Sequence, residues 1–156
     1  MEKQIFGKGK LNEQGYKERV KNYINFAEDR FEAYCKEKGY NFKKLCLNAD
    51  DDMFQHPIPH WGKLGLMKAQ PDYFCYNAKK NFYCELKNSN KLKIIDLIKY
   101  CAWESVMCDP KYVQYYICFM FKDKTIIKTI SQIMELLPKS EIRQYHEGNK
   151  YYVLPL

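Results

Sequence analysis

Two carboxylates and an ammonium stand close together in the stretch QPDYFCYNAKKNFYCELKNSN, residues 70–90: Asp72, Glu85 and Lys87. The aromatic runs Pro71 to Tyr76 and Asn81 to Lys87 alternate with the period of a strand, and Asn77-Ala78-Lys79-Lys80 between them reads as a turn. A four-residue hairpin loop, one of the common lengths, would set Tyr76 opposite Asn81 and Asp72 opposite Glu85. Strand side chains alternate between faces. Tyr73, Cys75, Phe82, Cys84 and Leu86 would then share a core face, leaving Asp72, Phe74, Tyr83, Glu85 and Lys87 on the other. Carboxylates so placed suit Mg²⁺, which takes hard oxygen ligands from one or two acids plus water and phosphate, and the Leu86 carbonyl could add another oxygen. An ion held there can bind a phosphoryl oxygen and activate water, with Lys87 offsetting developing charge. A one-residue slip of the turn would put the two acids on opposite faces.

The elements around this hairpin have to hold it. From about Glu13 to Lys38, residues Val20, Ile24, Ala27, Phe31, Tyr34 and Cys35 form an apolar helical stripe stopped by Gly39. Glu28 and Glu32 lie beside that stripe. Tyr40 to Asn48 reads as a strand, and Leu64 to Met67 as a short additional one. After the hairpin, the pattern predicts a helix over Lys91–Met107, capped by Ser89 or Asn90, with Leu92, Ile95, Ile98, Cys101, Ala102 and Val106 buried. Lys91, Lys93 and Lys99 flank it, and Lys91 and Lys99 are the better placed to reach a phosphate. Tyr112 to Lys122 is apolar on both faces and predicts a central strand. A second helix is expected over Thr125–Leu137, halted by Pro138, followed by a closing hairpin about Gly148-Asn149. The whole predicts an α/β (α+β) fold, a mixed sheet flanked by helices.

The chain of 156 residues is expected to form a single domain, with residues 1–12 as a loose arm and 49–63 as an irregular loop. An excess of 26 Lys+Arg over 19 Asp+Glu gives a net +7, which suits a polyanionic partner. Trp61, Lys63 and Lys68 would suit a phosphate-and-base lining. His56 and His60 sit on a proline-broken segment after Asp50-Asp51-Asp52, without the helical spacing of a zincin. The seven cysteines contain no C-x-x-C pair and read as free thiols in a reducing compartment, consistent with a cytoplasmic protein. No apolar run has the length of a membrane span, and the N-terminus does not resemble a signal peptide.

Pro71-Asp72 followed by Glu85-Leu86-Lys87, in a strand–turn–strand setting with a helix before and a helix and long strand after, resembles the PD-(D/E)xK nuclease superfamily. The likeness to its restriction-endonuclease-like core covers roughly Glu13 to Lys122, and small archaeal or viral members are nearest in character. The resemblance implies a nuclease hydrolysing DNA, an endonuclease ahead of an exonuclease, with Mg²⁺ or Mn²⁺ as cofactor. It implies metal binding by Asp72 and Glu85, water or phosphate contact by Lys87, assistance from a helix glutamate, Glu28 ahead of the neighbouring Glu32, and a homodimer as a common arrangement. Lys63, Lys68, Lys91 and Lys99 are the candidates for contact with the nucleic acid. A basic binding protein or viral structural protein that keeps the fold without catalysis is the alternative.

Overall fold

A computed structural model describes the backbone of residues 16–45 and 69–156, and the side chains of 26–45 and 69–156. The expected arm, the loop at 49–63, the strand at Leu64–Met67, and Val20, Ile24, Cys46, His56, His60, Trp61, Lys63 and Lys68 lie wholly or in part outside those residues.

Helix α1 spans Tyr16–Glu37. Ala27, Phe31 and Cys35 recur every four residues and are buried. Its end is a Schellman motif: Gly39 N–H donates to the Lys36 carbonyl (3.2 Å) and Tyr40 N–H to the Cys35 carbonyl (2.8 Å). Gly39 takes φ +71°, a left-handed conformation that only glycine adopts at little cost. The reversal sends the chain into β1, Asn41–Lys44.

A five-stranded sheet follows the order β1-β2-β3-β5-β6. Its other members are β2 (Tyr73–Tyr76), β3 (Asn81–Lys87), β5 (Val113–Met120) and β6 (Thr125–Thr129). β3 and β5 are parallel and every other pairing is antiparallel, so the sheet is mixed. The β2–β3 register joins Tyr76 to Asn81 and Tyr73 to Cys84, which carries Asp72 to the position opposite Glu85. The expected register is the one observed. Asn77 makes it possible, since its side-chain oxygen accepts from the N–H groups of both Lys79 and Lys80 and closes the turn.

Each face of the sheet has its own core. On one, α1 packs Phe31 and Cys35 over Tyr73, Cys75, Phe82, Cys84, Cys118 and Met120. On the other, Tyr115, Ile117 and Phe119 meet helices α2 (Ile94–Met107) and α3 (Ile130–Leu136). β5 is therefore covered on both sides, as its doubly apolar run requires. A second sheet, ordered β4-β8-β7, is made by Lys91–Lys93, Lys150–Val153 and Glu141–Gln144. The expected hairpin about Gly148 is the β7–β8 connection.

Several expectations are corrected. Lys91-Leu92-Lys93 is strand β4, because Leu92 enters the core when β4 pairs with β8 from the far end of the chain. The helix accordingly starts at Ile94 without a side-chain cap, and neither Ser89 nor Asn90 serves as one. Asn90 donates instead to the Leu154 carbonyl. The buried face of α2 is Leu97, Tyr100 and Trp103, while Ile95, Ile98 and Val106 are exposed. The large rings remove more area from water than the aliphatic stripe does. Thr125–Thr129 is a strand rather than the start of a helix. Four of its five residues are β-branched, and Phe121 N–H donating to the Lys124 carbonyl turns the chain back onto β5. Thr129 then caps α3 in a capping box with Gln132. Six described cysteines are free thiols. Their sulfur–sulfur contacts are Cys84 with Cys118 (2.8 Å) and Cys35 with Cys75 (4.0 Å). Among the described residues, no helix is long and apolar enough to cross a membrane.

Candidate functional site

The open end of the β2–β3 hairpin gathers the predicted acids. Asp72 lies just before β2, where its carbonyl accepts from Leu45 N–H (2.8 Å) and its carboxylate accepts from Leu86 N–H (2.7 Å). That second bond ties the acid across the hairpin, beyond the last β2–β3 pair. It also orients Leu86. The N–H and C=O of one residue in an extended strand point the same way, so the Leu86 carbonyl is directed toward Asp72 rather than β5.

Glu85 and Lys87 project from β3 toward α2. Lys87 Nζ lies 3.2 Å from Glu85 Oε1 and 3.6 Å from Asp96 Oδ2, forming a bridge between strand and helix. The Tyr100 hydroxyl donates to Glu85 Oε1 (2.8 Å), while the Lys87 ammonium lies 5.2 Å from the Tyr100 ring centre. Glu85 is thus held from two directions. Asp96 and Tyr100 are neighbours of the cluster that the sequence does not single out. Their i, i+4 spacing on one face of α2 was the available signal, obscured by assigning the buried face to the aliphatic residues.

The electrostatics single out Asp72. Burial and the neighbouring Glu85 charge push its carboxyl up to about 7, against the opposing pull of the Leu86 N–H and Lys87. No ion pair reaches it among the described residues. Burial would lower the pKa of the Lys87 ammonium, but Glu85 and Asp96 outweigh it and the net shift is upward. Burial and the Glu85 charge raise the Tyr100 phenol well above its ordinary value, which keeps it a donor. The cluster therefore has one fixed cation, two carboxylates engaged with it, and a third carboxyl that ionises only reluctantly.

Glu28, on α1, receives Lys44 Nζ at 2.7 Å, and its charge adds to those raising Asp72. Glu32 instead accepts from the Tyr73 hydroxyl (2.9 Å). Lys91 lies on β4 with its ammonium 5.6 Å from the Tyr151 ring centre, and Lys99 is partly exposed on α2. Neither forms an ion pair with the acids among the described residues. Lys93 sits over Tyr145 (5.4 Å), whose phenol feels the charges of Lys87 and Asp96, so the second sheet adjoins the cluster. In the tail, Tyr151 is buried and its ring lies 4.1 Å from that of Tyr145.

Asp72, Glu85 and the Leu86 carbonyl are the hard oxygens that the sequence pattern nominates as donors at this end of the hairpin. Among the described residues, no group of three or more His, Cys, Asp or Glu side chains is placed to hold an ion. The set fits a metal that keeps water and substrate oxygens in its shell, as Mg²⁺ and Mn²⁺ do, rather than one enclosed by protein ligands. Asp72, desolvated and without an ion pair among the described residues, is the observation that favours a cation. Two residues upstream, Gln70 Oε1 is buried without a hydrogen-bond partner.

No protein-family model matches the chain, and no curated protein matches it. Among solved structures, a Holliday junction resolvase from the archaeal hyperthermophile Archaeoglobus fulgidus is similar at a TM-score of 0.49 and 8% identity, over 86% of this chain and 84% of that one. A likeness at that level assigns neither family nor activity.

Proposed function

We propose that the chain is a divalent-metal-dependent nuclease that hydrolyses DNA phosphodiester bonds at the Asp72–Glu85–Lys87 cluster. The observation that carries this reading is the register of the β2–β3 hairpin, which sets both acids at one end of one face with Lys87 beside them. The PD-(D/E)xK pattern predicts the same three residues.

Asp72, Glu85 and the Leu86 carbonyl would hold Mg²⁺ or Mn²⁺. When bound, the ion supplies Lewis-acid charge to a phosphoryl oxygen and makes water a stronger nucleophile at neutral pH. The chain's own residues do the rest. Tyr100 fixes the Glu85 carboxylate from the helix side, and Asp96 keeps the Lys87 ammonium at the cluster. From there Lys87 positions water or offsets charge developing on the phosphate. Glu28 assists from α1 by adding negative charge near Asp72. Lys91 and Lys93 on β4 and Lys99 on α2 would contact the DNA backbone; Lys63 and Lys68, the other candidates for that contact, lie outside the described residues. The same reading includes a homodimer, for which the exposed Ile95, Ile98 and Val106 of α2 are the surface to test.

Digestion of linear, circular and branched DNA with Mg²⁺, with Mn²⁺ and with chelator tests the proposal. Cleavage that needs the ion supports it, and cleavage of circular DNA identifies an endonuclease. Salt-sensitive DNA binding with no cleavage under any ion would instead establish the binding protein.

A further inference from the structure

At the closed end of the same hairpin lies a cavity of about 450 Å³, between the Asn77–Lys80 turn and the Pro110–Tyr112 loop that leads into β5. Four residues of β3 separate Asn81 at its rim from Glu85, about 13 Å of strand. It is therefore a different place from the acid cluster, and its chemistry is the opposite.

Among the described residues, Lys79, Lys80 and Lys111 line the cavity and no carboxylate does. Three ammonium groups around one concavity repel one another and focus a positive field into it. The acid nearest in sequence, Asp109, is committed to its own loop. Its carboxylate accepts from Lys111 N–H (2.9 Å), and its carbonyl accepts from the N–H groups of Tyr112 (2.8 Å) and Val113 (2.7 Å). The opposite wall is equally anchored by Asn77, which holds the Lys79 and Lys80 N–H groups at 2.8 Å each. The charges are thus carried on two pinned turns.

The remaining lining suits more than a bare anion. Lys80 lies with its ammonium 4.4 Å from the Tyr116 ring centre and donates to the Tyr116 hydroxyl, which fixes its position. Tyr112 is 62% exposed and presents a ring beside Lys111, whose ammonium lies 5.1 Å from its centre. Asn81 and Gln114 add amide donors and acceptors. The volume is within the range of small-ligand sites. Cations for a phosphate, an exposed aromatic ring for a base and amides for a base edge or ribose together match one ligand class.

We infer that this cavity binds a phosphorylated nucleoside, presented either as a free mononucleotide or as the phosphorylated end of a strand. The inference does not depend on the nuclease reading, and either can fail alone. Calorimetry on the full chain in chelator, with adenosine 5′-monophosphate, adenosine and inorganic phosphate as probes, is the test. A short oligothymidylate with and without a 5′-phosphate distinguishes the two sources. The expected result is binding of the monophosphate, with adenosine weaker by about tenfold or more. The exposed double substitution Lys79→Gln, Lys111→Gln weakens the monophosphate by a similar factor, and Glu85→Ala leaves it unchanged. Tyr112→Ala weakens the monophosphate but not inorganic phosphate. If only the 5′-phosphorylated oligonucleotide binds, and the lysine substitutions abolish its advantage over the unphosphorylated form, the ligand is a strand end. Inorganic phosphate binding as tightly as the monophosphate overturns the inference. So does binding of every probe that is indifferent to the lysine substitutions, or no binding at all.

Discussion

Asp72→Asn removes a charge that the folded protein resists forming, and the consequence can be worked out with its sign. The Asp72 carboxyl titrates near 3.8 in the unfolded chain and is pushed up to about 7 in the fold, by burial first and by Glu85 second. Well below pH 3.8 it is protonated in both states and exerts no penalty. As pH rises through 7 the unfolded state loses its proton first, so the stability contributed by this group is lost across that interval. At 1.36 kcal/mol per pKa unit the loss is about 4 kcal/mol. Asparagine never ionises, and its side-chain oxygen can still accept from Leu86 N–H. In chelator, denaturant melts of the two proteins should differ by less than about 1 kcal/mol near pH 4 and diverge by up to about 4 kcal/mol at pH 8, with the variant more stable. Mg²⁺ at pH 8 should then stabilise the natural protein more than the variant, because the ion relieves the same charge. Its affinity for the natural protein should rise between pH 6 and 8 as the proton stops competing. A stability difference that stays constant from pH 4 to 8 would refute the reasoning, since Asp72 would then ionise as freely folded as unfolded.

Other consequences are simpler. Tyr100→Phe removes the donor that orients Glu85 and should cost roughly 1 kcal/mol in a denaturant melt, with cleavage slowed by about tenfold or more. Phe31→Ala opens a cavity between α1 and the sheet, and equilibrium unfolding should show a loss of about 3–5 kcal/mol. Gly39→Ala meets no steric neighbour but must take φ +71°, so the same measurement should show a loss of about 1–2 kcal/mol.

The hairpin was legible because its information is local. Alternation runs through both strands, Asn77 supplies an Asx turn, and the loop length sets the register that brings Asp72 opposite Glu85. β5 was legible for a related reason, since a run apolar on both faces has few places to go. The misreadings share a different cause. β4 exists only because β8, some sixty residues later, pairs with it. Within Lys91–Lys93 itself, helix and strand are equally acceptable. The rotation of α2 was decided by Tyr100 and Trp103 finding Tyr115 and Tyr83, contacts that no helical stripe reveals. That rotation also decided the site, because it carries Asp96 and Tyr100 to Lys87 and Glu85. Conversely, the β-branched run Thr125–Thr129 did signal a strand, and the helical spacing of Ile126, Ile130 and Ile133 masked it.

The most direct measurement is nicking of supercoiled plasmid by the natural protein and by Glu85→Gln, each in Mg²⁺ and in chelator. The substitution keeps the size of the side chain and an acceptor for Tyr100 while removing the charge that pairs with Lys87 and would hold the ion. Nicking by the natural protein in Mg²⁺, abolished both by chelator and by Glu85→Gln, is the predicted result. Nicking that survives Glu85→Gln at the natural rate would place the chemistry elsewhere and contradict the account.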